Sequence, residues 1–320
     1  MLADRVTEAL TRIRPYARET PLLESPALSR EAGARILLKL ENLQHTGSFK
    51  LRGALNKMLS LDASARTRGV ITASTGNHGA ATAYAGRIAG VAPTVYVPAG
   101  AVASKVARIR ELGGEVVVHG TDSGESELFA RAEAERQGKV YLSPYNDWDV
   151  VAGQGTIGIE LERQCPDLAA VVVSVGGGGL IGGIAGYLAE RMPGVDVVGC
   201  SPVASHVMAA SVAAGRLLDL PSEPTLSDGT AGGVEPDAIT FDLCRRLVKG
   251  FDLVTEPDIA TAMRRAFHDE RLVIEGAAGV AIASALRQAS RWPGRPIAVV
   301  LCGGNVDLSR WCGLMGEGRN

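Results

Sequence analysis

Short apolar runs at residues 36–40, 70–73, 94–97, 115–119, 140–142, 169–174, 196–200 and 297–301 alternate with longer stretches of helical character. The run at 169–174 is alanine and valine with a terminal serine and has no polar face. It predicts a strand covered on both sides, as in a parallel sheet. Strands that alternate with helices predict βαβ units, so the expected fold is α/β with mainly parallel sheets. No shift in composition marks a linker, and there is no internal repeat or low-complexity tract.

Three of the strands end in small-residue turns. After 169–174 come Val175 and then Gly176, Gly177, Gly178 and Gly179, followed by a helical stretch at 180–188. Four residues without a Cβ let successive N–H groups turn inward around an anion, and the following helix N-terminus favours negative charge. No Gly-Lys-Ser/Thr follows, so this is not a P-loop, and the spacing is a poor dinucleotide-binding fingerprint. Strand 70–73 runs into Ser74-Thr75-Gly76-Asn77-His78-Gly79, whose short hydroxyls, glycine and asparagine at a helix start can receive a carboxylate. His78, alone beside a cap, reads as a packing or hydrogen-bonding residue. Strand 297–301 ends at Cys302-Gly303-Gly304-Asn305, where the thiol is either an inert core group or faces a ligand.

A single lysine stands out among many solvated ones. Lys50 lies in Thr46-Gly47-Ser48-Phe49-Lys50-Leu51-Arg52-Gly53-Ala54, a turn with cap chemistry that opens a helix, and Phe49 sets an apolar ring beside the amine. An amine in an apolar pocket has a lowered pKa and becomes a usable nucleophile toward a carbonyl. An amine poised for covalent chemistry and a backbone cup for phosphate are both requirements of pyridoxal phosphate.

These segments, in this order, resemble the fold-type II pyridoxal phosphate enzymes, and within them the threonine dehydratase and serine racemase group. The resemblance spans nearly the whole chain, from Glu19-Thr20-Pro21-Leu22 through Gly153-Gln154-Gly155-Thr156 to Asn305. It implies a two-domain, three-layer αβα architecture like that of the tryptophan synthase β chain. Residues 1–54 and 146–320 would form a large cofactor-binding domain, and 55–145 a small domain closing over the cleft. It also implies Lys50 as the Schiff-base lysine, Phe49 beside it, and Gly176 to Gly179 on the cofactor phosphate. Ser74, Thr75, Gly76, Asn77 and His78 would form the substrate-carboxylate loop, with Asn77 also on the ring hydroxyl. Cys302 falls near the pyridine nitrogen, and Glu275 is placed near the ring or its hydroxyl. Members of the group are usually dimers, which makes a homodimer the expectation.

Composition narrows the partners. The formal net charge is −2 with no long basic block, which argues against a nucleic-acid partner. No stretch approaches 18 uncharged apolar residues, so no membrane span is expected, and the first residues lack a signal-peptide core. Five scattered cysteines show neither a disulfide framework nor a zinc spacing and suit a reducing cytoplasm. No appended regulatory domain is expected.

The reaction is less specific than the family. The resemblance implies a dehydratase (ammonia-lyase) that converts a β-hydroxy-amino acid, such as L-threonine, L-serine or a bulkier phenylserine, to a 2-oxo acid and ammonia. An amino-acid racemase on the same scaffold, a dehydratase of hydroxyectoine breakdown and a non-catalytic cofactor-binding protein are the alternatives. Thr75 stands where racemases place a serine base, and its stiff χ1 limits how the hydroxyl aims. A weak partner such as Cys302 at the pyridine nitrogen favours quick elimination. Many relatives carry a Glu-Pro pair after the glycine loop that begins a divalent-cation site. This chain has Ser201-Pro202, so no metal is expected there.

Overall fold

The computed structural model describes residues 1–316. Ten strands are present: β1 Leu22–Glu24, β2 Arg35–Lys39, β3 Val70–Ala73, β4 Thr94–Val97, β5 Glu115–Val118, β6 Val140–Tyr141, β7 Ala170–Ser174, β8 Asp196–Pro202, β9 Phe251–Val254 and β10 Pro296–Val300. They form a six-stranded sheet in the order β1-β2-β10-β7-β8-β9 and a four-stranded sheet in the order β5-β4-β3-β6. All pairings are parallel except that of β1 with β2.

All eight expected strands form, with ends shifted by at most two residues. The sequence reading missed β1 and β9. β1 is three residues long and mostly exposed on an antiparallel edge, and β9 is only half-buried over most of its length. Neither has the continuous apolar character that made the others visible.

β7 is buried at every position and sits between β10 and β8, with Val172 opposite both Val198 and Val299. The main apolar core collects around it, from the helices Trp148–Gln164, Gly179–Arg191 and Gly276–Gln288. That covering explains a strand without a polar face. A second core joins the helix Lys50–Ser60 to β3 and the helix Asn77–Ala89 through Leu51, Leu55, Met58, Val70, Ala81 and Ala85. The carboxyl ends of β3, β7 and β10 therefore deliver Ser74, Val175 and Cys302, and the loop after β2 delivers Lys50. This is the end of a parallel sheet at which open α/β folds bind ligands. No helix among the described residues is long and apolar enough to cross a membrane.

Candidate active site

The segment carrying the lysine is pinned on several sides. Ser48 bridges Gly303 across an isolated antiparallel contact, and the Phe49 N–H donates to the Cys302 carbonyl at 3.0 Å. Gly47 has φ +76°, and a Cβ there would meet the Asn305 side chain at 2.5 Å. The turn thus needs glycine for both conformation and space. The Lys50 amine donates to the Pro144 carbonyl at 2.9 Å and lies 5.2 Å from the centre of the Phe49 ring. The residue keeps some exposed surface, but the amine is enclosed, and burial lowers its pKa to about 8 against the pull of the Glu275 and Glu127 carboxylates.

Beside it lies a chain of polar contacts that crosses the molecule. Asn77 Nδ2 donates to both oxygens of Glu275 at 3.1 and 2.9 Å, and the Cys302 thiol lies 3.6 Å from Glu275 Oε1. Ser174 Oγ lies 3.5 Å from the Cys302 sulfur. Asn305 Nδ2 donates to Asn77 Oδ1 at 2.7 Å and to the Thr46 carbonyl at 2.8 Å. Burial pushes Glu275 up to about 7, and burial followed by the Glu275 charge pushes Cys302 well above the usual thiol value. Cys302 is therefore a neutral thiol. Lys50, Phe49, Asn77, Glu275 and Cys302, which lie as far as 253 positions apart (49 to 302) in the sequence, form one group.

The glycines lie next to it, two residues beyond Ser174. Among the described residues, no backbone or side-chain acceptor takes the N–H groups of Gly176, Gly177 or Gly178. Gly178 has φ +82° and caps the helix that begins at Gly179. Unpaired N–H groups at a helix N-terminus form an anion site. Packing adds a further reason for glycine. A Cβ on Gly177 would strike the Tyr145 ring at 2.3 Å; one on Gly179 would meet Tyr145 Cβ at 2.9 Å. Tyr145 directly follows Pro144, so a single turn backs the glycines and receives the Lys50 amine.

Ser74, Thr75, Gly76 and Asn77 are half-buried at the start of the helix Asn77–Ala89. The Ser74 hydroxyl accepts the Gly76 N–H at 3.2 Å. The His78 imidazole turns inward, with Nε2 3.0 Å from the Leu142 carbonyl, and burial with the neighbouring Lys50 charge lowers its pKa to about 3. The imidazole is therefore neutral, with its Nδ1 buried and unpartnered among the described residues. Ser201 is fully buried and donates to the Val175 carbonyl at 3.0 Å. Sequence reasoning missed Tyr145, Asn305, Ser174 and Pro144. Asn305 stood in the quoted glycine turn, but its partner Asn77 lies 228 residues away.

Pyridoxal phosphate fits these residues: unpaired glycine N–H groups stand ready for its phosphate, an enclosed amine for its aldehyde, and a neutral thiol and a carboxylate for its ring. The Ser48 and Thr46 hydroxyls add buried polar atoms without a protein partner beside the lysine. Together the α/β fold, the amine and the phosphate cup define a cofactor-dependent enzyme of the carbonyl–amine type. Residues 13–303 match the pyridoxal-phosphate dependent enzyme family, and the chain belongs to it, with pyridoxal phosphate as its cofactor. It is 39% identical over 304 residues to an L-threonine ammonia-lyase of Thermotoga maritima, covering 95% of this chain and 75% of the relative. Among solved structures it is similar to the processed form of threonine deaminase isoform 2 from Solanum lycopersicum, with TM-score 0.94 and 32% identity over 99% of this chain and 88% of that one. It is also similar to maize serine racemase, with TM-score 0.92 and 32% identity over 98% of this chain and 97% of that one.

Proposed function

We propose that this chain is an ammonia-lyase (dehydratase) that acts on a β-hydroxy-α-amino acid of the L-threonine or L-serine kind and releases a 2-oxo acid and ammonia. One observation carries the choice of reaction: the site pairs an activated amine with an unactivated hydroxyl. Lys50 has its pKa near 8, whereas the Thr75 hydroxyl has no carboxylate, amine or imidazole bonded to it among the described residues. An alcohol with no neighbour to take its proton is a poor base. Elimination needs one base, and inversion at the α-carbon needs two.

When bound, the cofactor supplies an electron sink for the pair left at the α-carbon. The chain does the rest. Gly176, Gly177 and Gly178 would hold the phosphate through their N–H groups. Ser74, Thr75, Gly76 and Asn77, with the His78 N–H, would orient the substrate carboxylate at a helix N-terminus. The neutral fraction of Lys50 takes the α-proton. Cys302, a neutral thiol, withholds the strong ring protonation that an aspartate would enforce, and Glu275 orients Asn77. We further take residues 55–145 as the unit that closes over the cleft, and a cytoplasmic homodimer as the working form.

The similarity to serine racemase favours a racemase as the second reading. One reaction decides between them. The protein loaded with pyridoxal phosphate is given L-serine, L-threonine or phenylserine, and 2-oxo acid and opposite enantiomer are followed together. Oxo acid in excess is expected; inversion outrunning it refutes the lyase and supports the racemase. No product and no colour change with any of them supports a passive cofactor-binding protein.

A further inference from the structure

Behind Lys50, on the opposite face of its helix, lies a buried charge network that the proposed chemistry does not use. Arg52 is two residues along, about 200° around the helix axis. Its Nε and Nη2 donate to the two oxygens of Glu41 at 2.8 and 2.7 Å, and its Nη1 and Nη2 to the two oxygens of Glu160 at 2.6 and 2.9 Å. Thr156 Oγ1 and the Arg18 carbonyl accept further bonds at 3.1 and 3.2 Å. Lys39 donates to the second Glu160 oxygen at 2.6 Å, and also to the Thr20 carbonyl and Gln164. Arg52, Glu41, Lys39 and Glu160 are all 0–1% exposed. Two cations and two carboxylates balance, and every proton of the guanidinium has an acceptor.

Such a network gains little stability, because desolvation of four charges offsets their attraction. What it supplies is geometry, since two bidentate forks allow one position of the guanidinium. The adjoining residues are held as closely. The Gly53 N–H donates to Gln154 Oε1 at 3.2 Å, and a Cβ on Gly153 would lie 2.7 Å from the Gly53 Cα. The first turn of the helix Lys50–Ser60 is thereby locked against the loop after β2 and the helix Trp148–Gln164.

We infer that Arg52 is a positioning residue for Lys50: through Glu41 and Glu160 it fixes the helix turn that aims the amine into the cleft. This rests on the assignment of Lys50 as the reacting amine. A displacement of about 1 Å at a reacting group costs on the order of a hundredfold in rate, whereas substrate contacts elsewhere are untouched.

The structure also provides a route for a test. A cavity of about 160 Å³ between Leu10, Ile13, Arg14 and Ala17 reaches Arg52 and Glu160 from the surface side. In Arg52→Ala a small guanidinium can enter by it and reoccupy the two forks. In the cofactor-loaded protein, Arg52→Ala is expected to lower kcat about a hundredfold with KM within about threefold. Millimolar ethylguanidinium should then recover kcat at least about tenfold and leave the parent unchanged. In cofactor-free protein, labelling of Lys50 by a small amine-reactive reagent, read by peptide mass spectrometry, should speed up several-fold. If Arg52→Ala does not fold, Thr156→Val removes one bond of the network and should lower kcat about threefold at unchanged KM. A kcat that stays at the parent value, or a loss that ethylguanidinium leaves unrepaired while Lys50 labelling stays slow, overturns the inference. Lys50→Ala separates the two levels: if that variant still turned over substrate, the assignment of the amine would be the part that failed.

Discussion

Glu275 is a buried carboxylate that accepts two hydrogen bonds from the Asn77 amide, and burial holds its pKa near 7 where an ordinary glutamate has 4.5. A raised acid binds its proton more tightly in the folded state, so the folded protein carries more protons than the unfolded chain between those values. Stability must therefore fall as pH rises through that window. The full gap corresponds to about 3 kcal/mol, of which about 2.5 kcal/mol is lost between pH 5 and pH 8. Glu275→Gln keeps the volume and an acceptor for Asn77 but cannot ionise. The assay is urea unfolding of the cofactor-free protein at pH 5, 6, 7 and 8, parent against variant. The variant should gain on the parent by about 2.5 kcal/mol across that range, steepest near pH 6 and flattening above pH 7. A difference that stays constant with pH would show that Glu275 titrates normally, and the argument from burial would be wrong.

Gly177→Val should weaken pyridoxal phosphate binding at least about tenfold by cofactor titration, because its Cβ lands on the Tyr145 ring; adding Tyr145→Ala should return part of the affinity. The labelling rate of Lys50 in cofactor-free protein should rise with pH and level off above a midpoint near 8, and a midpoint near 10.4 would mean the amine is solvated. Its depressed pKa also means that stability gains as pH climbs from 8 toward the unfolded value. Chelation with EDTA should leave turnover within about twofold, since Ser201 is committed to the Val175 carbonyl; a large loss restored by magnesium or calcium would disprove this.

Much of the architecture was legible in short windows of sequence. Parallel strands covered on both faces must be apolar throughout, so β7 and β10 announce themselves, while β1 and β9, exposed or half-buried, do not. The glycines, the amine and the carboxylate loop were legible for a similar reason. Each is a local demand: no Cβ where a turn is tight, short polar groups at a helix start, an apolar neighbour beside an amine. Tertiary structure alone decided how these pieces meet. The Asn77–Glu275 and Asn77–Asn305 contacts, the seat of Tyr145 behind Gly177 and the forks of Arg52 join residues that are from 11 to 228 positions apart. A buried Arg52 looks in sequence like any surface arginine, because its burial depends on two glutamates that folding brings to it. The same holds for the pKa values of Lys50 and Glu275: composition names the groups, but desolvation is a property of the packed interior.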